Sequence, residues 1–223
     1  MAMQQIPFAL FDFDDTVSHG DSIVPYVLFC ARKGYATRMH VVCAAVRFAL
    51  TKLGVGTVDA AKAYALSFLK GRDAAEITQL AHEFWREVLV KRLFPEAIAE
   101  MKRLRESGCR VLIVSASVTA YMDVLPEYVP ADAVLATACG TDGDGRLNGC
   151  LGENCRGLQK PLRIAEYLAA NNLLLDYDAS YAFGDSPSDE PMLRTAAHAT
   201  LVNPPEKLRA AMPDAAVVHW KKA

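Results

Sequence analysis

Asp12, Asp14 and Asp15 fall within four positions, directly behind an apolar and aromatic run, in the stretch FALFDFDDTVSHGDS (8–22). Ionised carboxylates repel one another and are costly to desolvate, so a cluster of them calls for a cation. Oxygen donors alone select a hard one. Magnesium fits best, with one or two carboxylates, some waters, and the remaining positions from a substrate phosphate. No His or Cys stands nearby at ligand spacing, which disfavours zinc. With its charge offset in this way, a carboxylate already ionised at neutral pH can attack phosphorus. Asp12 is the candidate nucleophile. Asp14, two residues on, can reach the same side, protonate a leaving oxygen and then activate water.

Three other stretches supply what such chemistry needs. Ser115 closes RVLIVS (110–115) and offers a hydroxyl to phosphoryl oxygens, together with neighbouring backbone amides, that of Ala116 among them. Lys160, entering a helix, brings a point charge that tethers phosphate and balances the acids. Asp185, in GDSPSD (184–189), is the second carboxylate ligand, with a backbone carbonyl of the DxD turn beside it. Asp189, four residues further, contacts the metal through water or orients Lys160.

The elements that must position these groups follow from hydrophobic pattern and punctuation. Residues 9–13, 110–115 and 181–183 read as short buried strands, so Asp12, Ser115 and Asp185 each come at the carboxyl end of a separate strand. Between the first two, the pattern from Asp21 to about Val90 is helical. Val42, Ala45, Val46, Ala49, Leu50 and Leu53 share one helix face, which Gly54 and Gly56 end. A second helix begins near Val58. A third, holding Phe84, Trp85 and Val88, follows Asp73 as N-cap. Pro95 opens a further helix with the stripe Ile98, Met101 and Leu104, and Gly108 ends it. TDGDGR (141–146) predicts a hairpin, and HATLVNP a last strand before a polar tail. The alternation predicts an α/β protein: a parallel sheet that binds ligands beyond the carboxyl ends of its strands, with a helical cap inserted after the first strand.

The whole chain narrows the classes. It has 223 residues, 52% of them hydrophobic, and a formal net charge of −2, so it offers no large positive field and nucleic acid is not an expected partner. No basic segment followed by an apolar stretch opens the chain, and uncharged runs such as 111–122 fall short of the roughly 18 residues a membrane span needs. Six cysteines without a CxxC pair read as reduced, mostly buried thiols, and a cytoplasmic location is expected.

DFDDT, VSAS, the QK at 159–160 and GDSPSD resemble, in order and separation, the four motifs of the haloacid dehalogenase superfamily. The resemblance runs from about residue 7 to 205 and is nearest to the phosphoserine-phosphatase-like branch, subfamily IB, which residues 133–160 also resemble. It implies a Rossmann-like core domain of residues 1–18 and 92–223 and a helical type 1 cap of residues 19–91. It also implies a magnesium-dependent phosphohydrolase that cleaves a small organic phosphate monoester through an aspartyl phosphate. In that pattern Asp12 is nucleophile and metal ligand, Asp14 is acid/base and lends its carbonyl to the metal, and Asp185 is a ligand. The acid at Asp14 marks phosphatases and mutases; dehalogenases lack it.

Some positions depart from the pattern. Asp15 stands where relatives often carry Gly, and is expected to be solvated. Asp21, nine residues past Asp12, sits where phosphoserine phosphatases hold the substrate amine, and as an N-cap of the first cap helix it has a structural alternative. His19 beside it is expected in a loop. Arg32, Lys33, Arg38 and Arg47 are interleaved with apolar residues of the cap, so a lipid-phosphate phosphatase of the phosphatidylglycerophosphatase C type stays as an alternative, with a membrane surface as a less favoured partner. A non-catalytic phosphate or metal sensor is the third reading, and Asp14 speaks against it.

Overall fold

The computed structural model describes residues 3–221. The chain begins with β1 (Gln4–Ile6) and β2 (Phe8–Phe11), then passes through α1 (Ile23–Arg32), α2 (Arg38–Lys52), α3 (Val58–Ala65) and α4 (Ala74–Glu87). It returns with α5 (Pro95–Glu106), β3 (Arg110–Val118), α6 (Thr119–Met122), β4 (Ala133–Thr137) and a pair of short strands, β5 (Cys139–Thr141) and β6 (Leu147–Leu151). The last part is α7 (Gln159–Ala170), β7 (Leu173–Leu175), β8 (Tyr181–Gly184), α8 (Glu190–Leu193), β9 (His198–Val202), α9 (Glu206–Ala211) and β10 (Ala216–Val218).

All four residues of β2 are fully buried, as a strand covered on both faces requires. Ala9 and Phe11 point into one core and Phe8 and Leu10 into the other, following the two-residue period of a strand. The same division splits Val111 and Ile113 from Leu112 and Val114 on β3. The sheet is parallel throughout, in the order β10-β9-β8-β2-β3-β4. Phe11 is in register with Phe183 across the β2–β8 pair, and the two rings stack at 4.2 Å. Since β3 lies on one side of β2 and β8 on the other, the strand order reverses there, the kind of place where α/β sheets bind ligands.

The helices from α1 to α4 sit between β2 and α5 in the sequence and share the first core with one face of the sheet. Threonine or aspartate caps three of them: Thr37 accepts from His40 N–H at 3.1 Å, Thr57 from Ala60 N–H at 3.1 Å, and Asp73 from Ala75 N–H at 2.8 Å. Each such cap contributes about 1 kcal/mol. The two chain segments that lead into and out of these helices run side by side: Phe94 N–H donates to Val17 C=O at 2.9 Å and His19 N–H to Arg92 C=O at 2.8 Å.

Several expectations are corrected in detail. β3 does not stop at Ser115 but continues to Val118, with its pairing to β4 interrupted between Val114 and Val118. The polar tail folds as α9 and adds β10 to the sheet edge. The apolar stripe of α2 is a real helix face, but it is turned to solvent, and Ala44 is the helix's one buried residue. The predicted hairpin forms as the antiparallel β5–β6 pair, and Pro95 opens α5. All six cysteines are free; Cys30, Cys109 and Cys155 are buried and Cys150 is exposed.

Candidate active site

Asp12 continues β2 by one residue, its N–H donating to Phe183 C=O at 3.0 Å, and this fixes the backbone behind its carboxylate. Lys160, in the first turn of α7, donates to Asp12 Oδ1 at 2.5 Å and to Asp189 Oδ1 at 2.6 Å. Asp189 is held in turn by Ser186, whose N–H and hydroxyl both donate to its Oδ2. Gly184 makes room for this packing, because a Cβ there would stand 2.6 Å from that of Asp189. Carboxylate oxygens of Asp12, Asp185 and Asp189 all lie within 4.8 Å of one another.

Three carboxylates face one ammonium here, and the electrostatics reflect it. Burial pushes Asp12 up to about 7 against the pull of Lys160, with Asp189 adding to the rise. Asp185 is raised to about 8 by burial, then by Asp12 and Asp189. Asp189 is held low despite burial, because Lys160 and Ser186 stabilise its charged form. Lys160 is raised: burial opposes its charge, but Asp12 and Asp189 outweigh that. The fit to magnesium is good, since the donors are all carboxylate oxygens and a divalent cation would relieve anions that the protein otherwise raises toward neutrality. The side-chain cluster contains both expected carboxylate ligands, Asp12 and Asp185, with Asp189 as a third carboxylate beside them.

Asp14 has a separate environment. Its Oδ2 accepts from Ser117 Oγ at 2.9 Å, and its Oδ1 is buried with no hydrogen-bond partner among the described residues. Ser117 is bonded to Ser22 at 2.8 Å, and Ser22 to the Tyr121 hydroxyl at 2.8 Å, a buried polar row spanning the inserted helices and β3. Burial, with the charges of Asp21 and Asp12, raises Asp14 to about 8, and the nearby hydroxyls of Ser22 and Ser117 offset part of the rise. A carboxyl in that range is protonated at neutral pH and can donate a proton.

Ser115 is buried, and its Oγ accepts from Ser117 N–H at 3.0 Å, which turns the backbone where β3 loses its register. The carbonyl of Ala116 accepts from Thr137 Oγ1 at 2.8 Å and from Lys62 Nζ. Lys62, on α3, is a residue that sequence reasoning missed. It is 3% exposed and also donates to Thr137 at 3.2 Å and Asn154 Oδ1 at 3.1 Å, while Asn154 donates to Asp59 at 2.6 Å. Its partners lie 54 to 92 positions away, so no local spacing announces them.

Among the remaining candidates, Asp15 has φ +58, a left-handed backbone that explains why Gly suits the position. Its side chain is not simply solvated, since Oδ1 accepts from Gly20 N–H at 2.6 Å and closes the turn. Asp21 is exposed and accepts from Val24 N–H at 3.0 Å, which caps the start of α1. His19 pairs with Arg92 through its backbone, where the chain enters the helical insertion. A groove of about 570 Å³, lined by Val58, Asp59, Asn154, Arg156, Gln159 and Ser188 among others, borders the turn that carries Lys160. A concavity of about 630 Å³ between α8, β9 and β10 contains none of these chemical groups.

The chain matches the haloacid dehalogenase-like hydrolase family over residues 9–194. It belongs to that family. A probable phosphatase of Mycobacterium tuberculosis is 26% identical over 215 residues, 95% of this chain and 73% of the relative. A crystal structure of a Bordetella pertussis Tohama I protein of unknown function is similar with a TM-score of 0.84 at 23% identity, covering 97% of this chain and 99% of that one. A phospho-aspartyl intermediate analogue of phosphoserine phosphatase shares the fold with a TM-score of 0.63 at 17% identity, covering 100% and 95% of the two chains. The chain is therefore a hydrolase of the haloacid dehalogenase-like family. No helix among the described residues is long and apolar enough to cross a membrane.

Proposed function

We propose that the enzyme is a magnesium-dependent phosphomonoesterase that works through a phosphorylated Asp12. The observation that carries this reading is the convergence of Asp12, Asp185 and Asp189, with Lys160 bridging two of them, beside a raised Asp14 in its own polar niche. Magnesium bound to Asp12 and Asp185, with the Asp14 carbonyl as a further ligand, would offset charge on the phosphoryl oxygens.

The residues then divide the labour. An Asp12 carboxylate oxygen forms the bond to phosphorus as the bond from phosphorus to the ester oxygen breaks. Asp14 gives its proton to that leaving oxygen, and the alcohol departs. In the second step Asp14, now a carboxylate, takes a proton from water. The water oxygen bonds to phosphorus, the bond to Asp12 breaks, and inorganic phosphate leaves. Lys160 balances the Asp12 charge and, with Ser115 and the Ala116 amide, holds the phosphoryl oxygens. Asp189 keeps Lys160 in place. The helical insertion serves as a cap, the paired segments near Ser18 and Leu93 as its base, and Lys62 ties it to the phosphate-binding turn. Because Asp12 is only 7% exposed, the cap opens to admit substrate and shuts out water when closed.

A small, soluble phosphate monoester is the substrate class that fits this enclosed site, and cytoplasmic metabolites are the source. The test is phosphate release from p-nitrophenyl phosphate and a panel of metabolite phosphates, with magnesium and with chelator. Release that depends on magnesium is expected. Equal release in chelator would overturn the metal assignment, and no release from any soluble ester would overturn the substrate class.

A further inference from the structure

Helix α2 turns an apolar face outward. Met39, Val42, Val46 and Leu50, with Leu53 just beyond the helix, are 70%, 56%, 52%, 37% and 77% exposed. At about 100° per residue these five side chains span an arc of roughly 80°. The same geometry sets Arg38 and Lys52 along one border of the arc and Arg47 along the other. Val55 and Val58, also exposed, follow in the turn into α3.

Charge around this face is one-sided. From Ser22 to Val58 the chain has Arg32, Lys33, Arg38, Arg47 and Lys52 and no Asp or Glu, within a protein whose net charge is −2. Lys33 is paired with Glu83 and Glu87. Arg38 and Lys52 form no ion pair among the described residues, and the Arg47 guanidinium lies over the Tyr64 ring at 4.2 Å, which positions it without neutralising it.

We propose that this face of α2 docks on a membrane surface bearing anionic lipid headgroups. The helix lies in the interfacial plane, with Met39, Val42, Val46, Leu50 and Leu53 among the acyl chains and the three flanking cations at headgroup level. An exposed apolar arc calls for a partner, and its rim decides which kind. A second copy of this chain fits poorly. Antiparallel pairing about the helix midpoint, Ala45, would bring Arg38 opposite Lys52 of the other copy, parallel pairing would set each cation against its twin, and the segment holds no carboxylate to offset either. An anionic surface offsets all three cations at once. Val58, which follows the turn after α2, also lines the groove of about 570 Å³ beside the active site, so docking through α2 would bring that side of the groove toward the lipid.

The test is sedimentation of the full chain with vesicles, a readout that does not depend on catalysis or on the proposed substrate. Vesicles of equal parts phosphatidylcholine and phosphatidylglycerol are expected to bind it at least about tenfold more tightly than phosphatidylcholine alone, and high salt should remove the difference. Val46→Asp should abolish binding with the melting temperature retained. The double variant Arg38→Glu/Lys52→Glu should do the same through charge alone. Equal affinity for both vesicle types, or none for either, overturns the proposal. So does a dimer that Val46→Asp splits while vesicle binding is unchanged.

Discussion

Lys62 brings three ammonium donors to three oxygens, on Ala116, Thr137 and Asn154, in a place with little water. Burial lowers it from its ordinary 10.5 to about 8, although Asp59 pulls the other way. The sign of the pH dependence follows. Below pH 8 the folded and unfolded chains both hold this proton, and the folded chain bears the full cost of a buried charge. Between about 8 and 10.5 only the unfolded chain still holds it, so stability rises with pH through that window. The unfolding free energy of the wild type relative to Lys62→Met, from denaturant titrations at several pH values, should therefore climb across this range, by on the order of 3 kcal/mol in all. A difference that ignores pH would contradict the buried placement. The same residue marks the limit of what is readable from one stretch of chain. Asp12, Asp14 and Asp185 were legible as candidates from residue type and position behind a strand, and Lys160 from its place at the start of a helix. Lys62, Ser117, Ser22 and Tyr121 were not, because their roles arise only where distant segments meet. The alternative for Asp189 that the geometry favours is the orientation of Lys160.

Helix α4 shows how elements join the insertion to the sheet. Trp85 is fully buried, donates to the Tyr121 carbonyl at 2.7 Å and stacks on Tyr128 at 5.0 Å. Tyr26, Phe29, Phe84 and Phe13 continue the same core from the insertion to the end of β2. Trp85→Ala removes a large ring and strands a buried carbonyl, so a loss of about 3–5 kcal/mol is expected. Because the core is continuous, thermal unfolding followed by circular dichroism should move as one transition. Two separate transitions would show that the insertion melts by itself. Caps and breakers such as Asp73, Pro95 and Gly108 made these helices legible, since they act on their own neighbours. Periodicity also identified the face of α2, but a repeat says that a helix has an apolar side, not what covers it.

At the scale of the molecule, three strands deliver the chemistry because they are neighbours in the order β8-β2-β3. The sequence implied that Asp12, Ser115 and Asp185 end strands; Asp12 and Asp185 directly follow β2 and β8, while Ser115 lies within β3 where its pairing to β4 is interrupted. Strand order itself was not legible, because pairing depends on contacts between segments more than a hundred residues apart. Nor does the net charge of −2 disclose the basic stretch from Ser22 to Val58. The central claim, that this edge passes a phosphoryl group through Asp12, is best tested by acid-quenching the enzyme during turnover with magnesium and p-nitrophenyl phosphate. Borohydride then reduces any aspartyl phosphate to homoserine, which peptide mass spectrometry locates. Homoserine at position 12, absent from Asp12→Asn, is the expected result. Homoserine at another position, or none while phosphate is being released, would contradict the nucleophile and the two-step chemistry built on it.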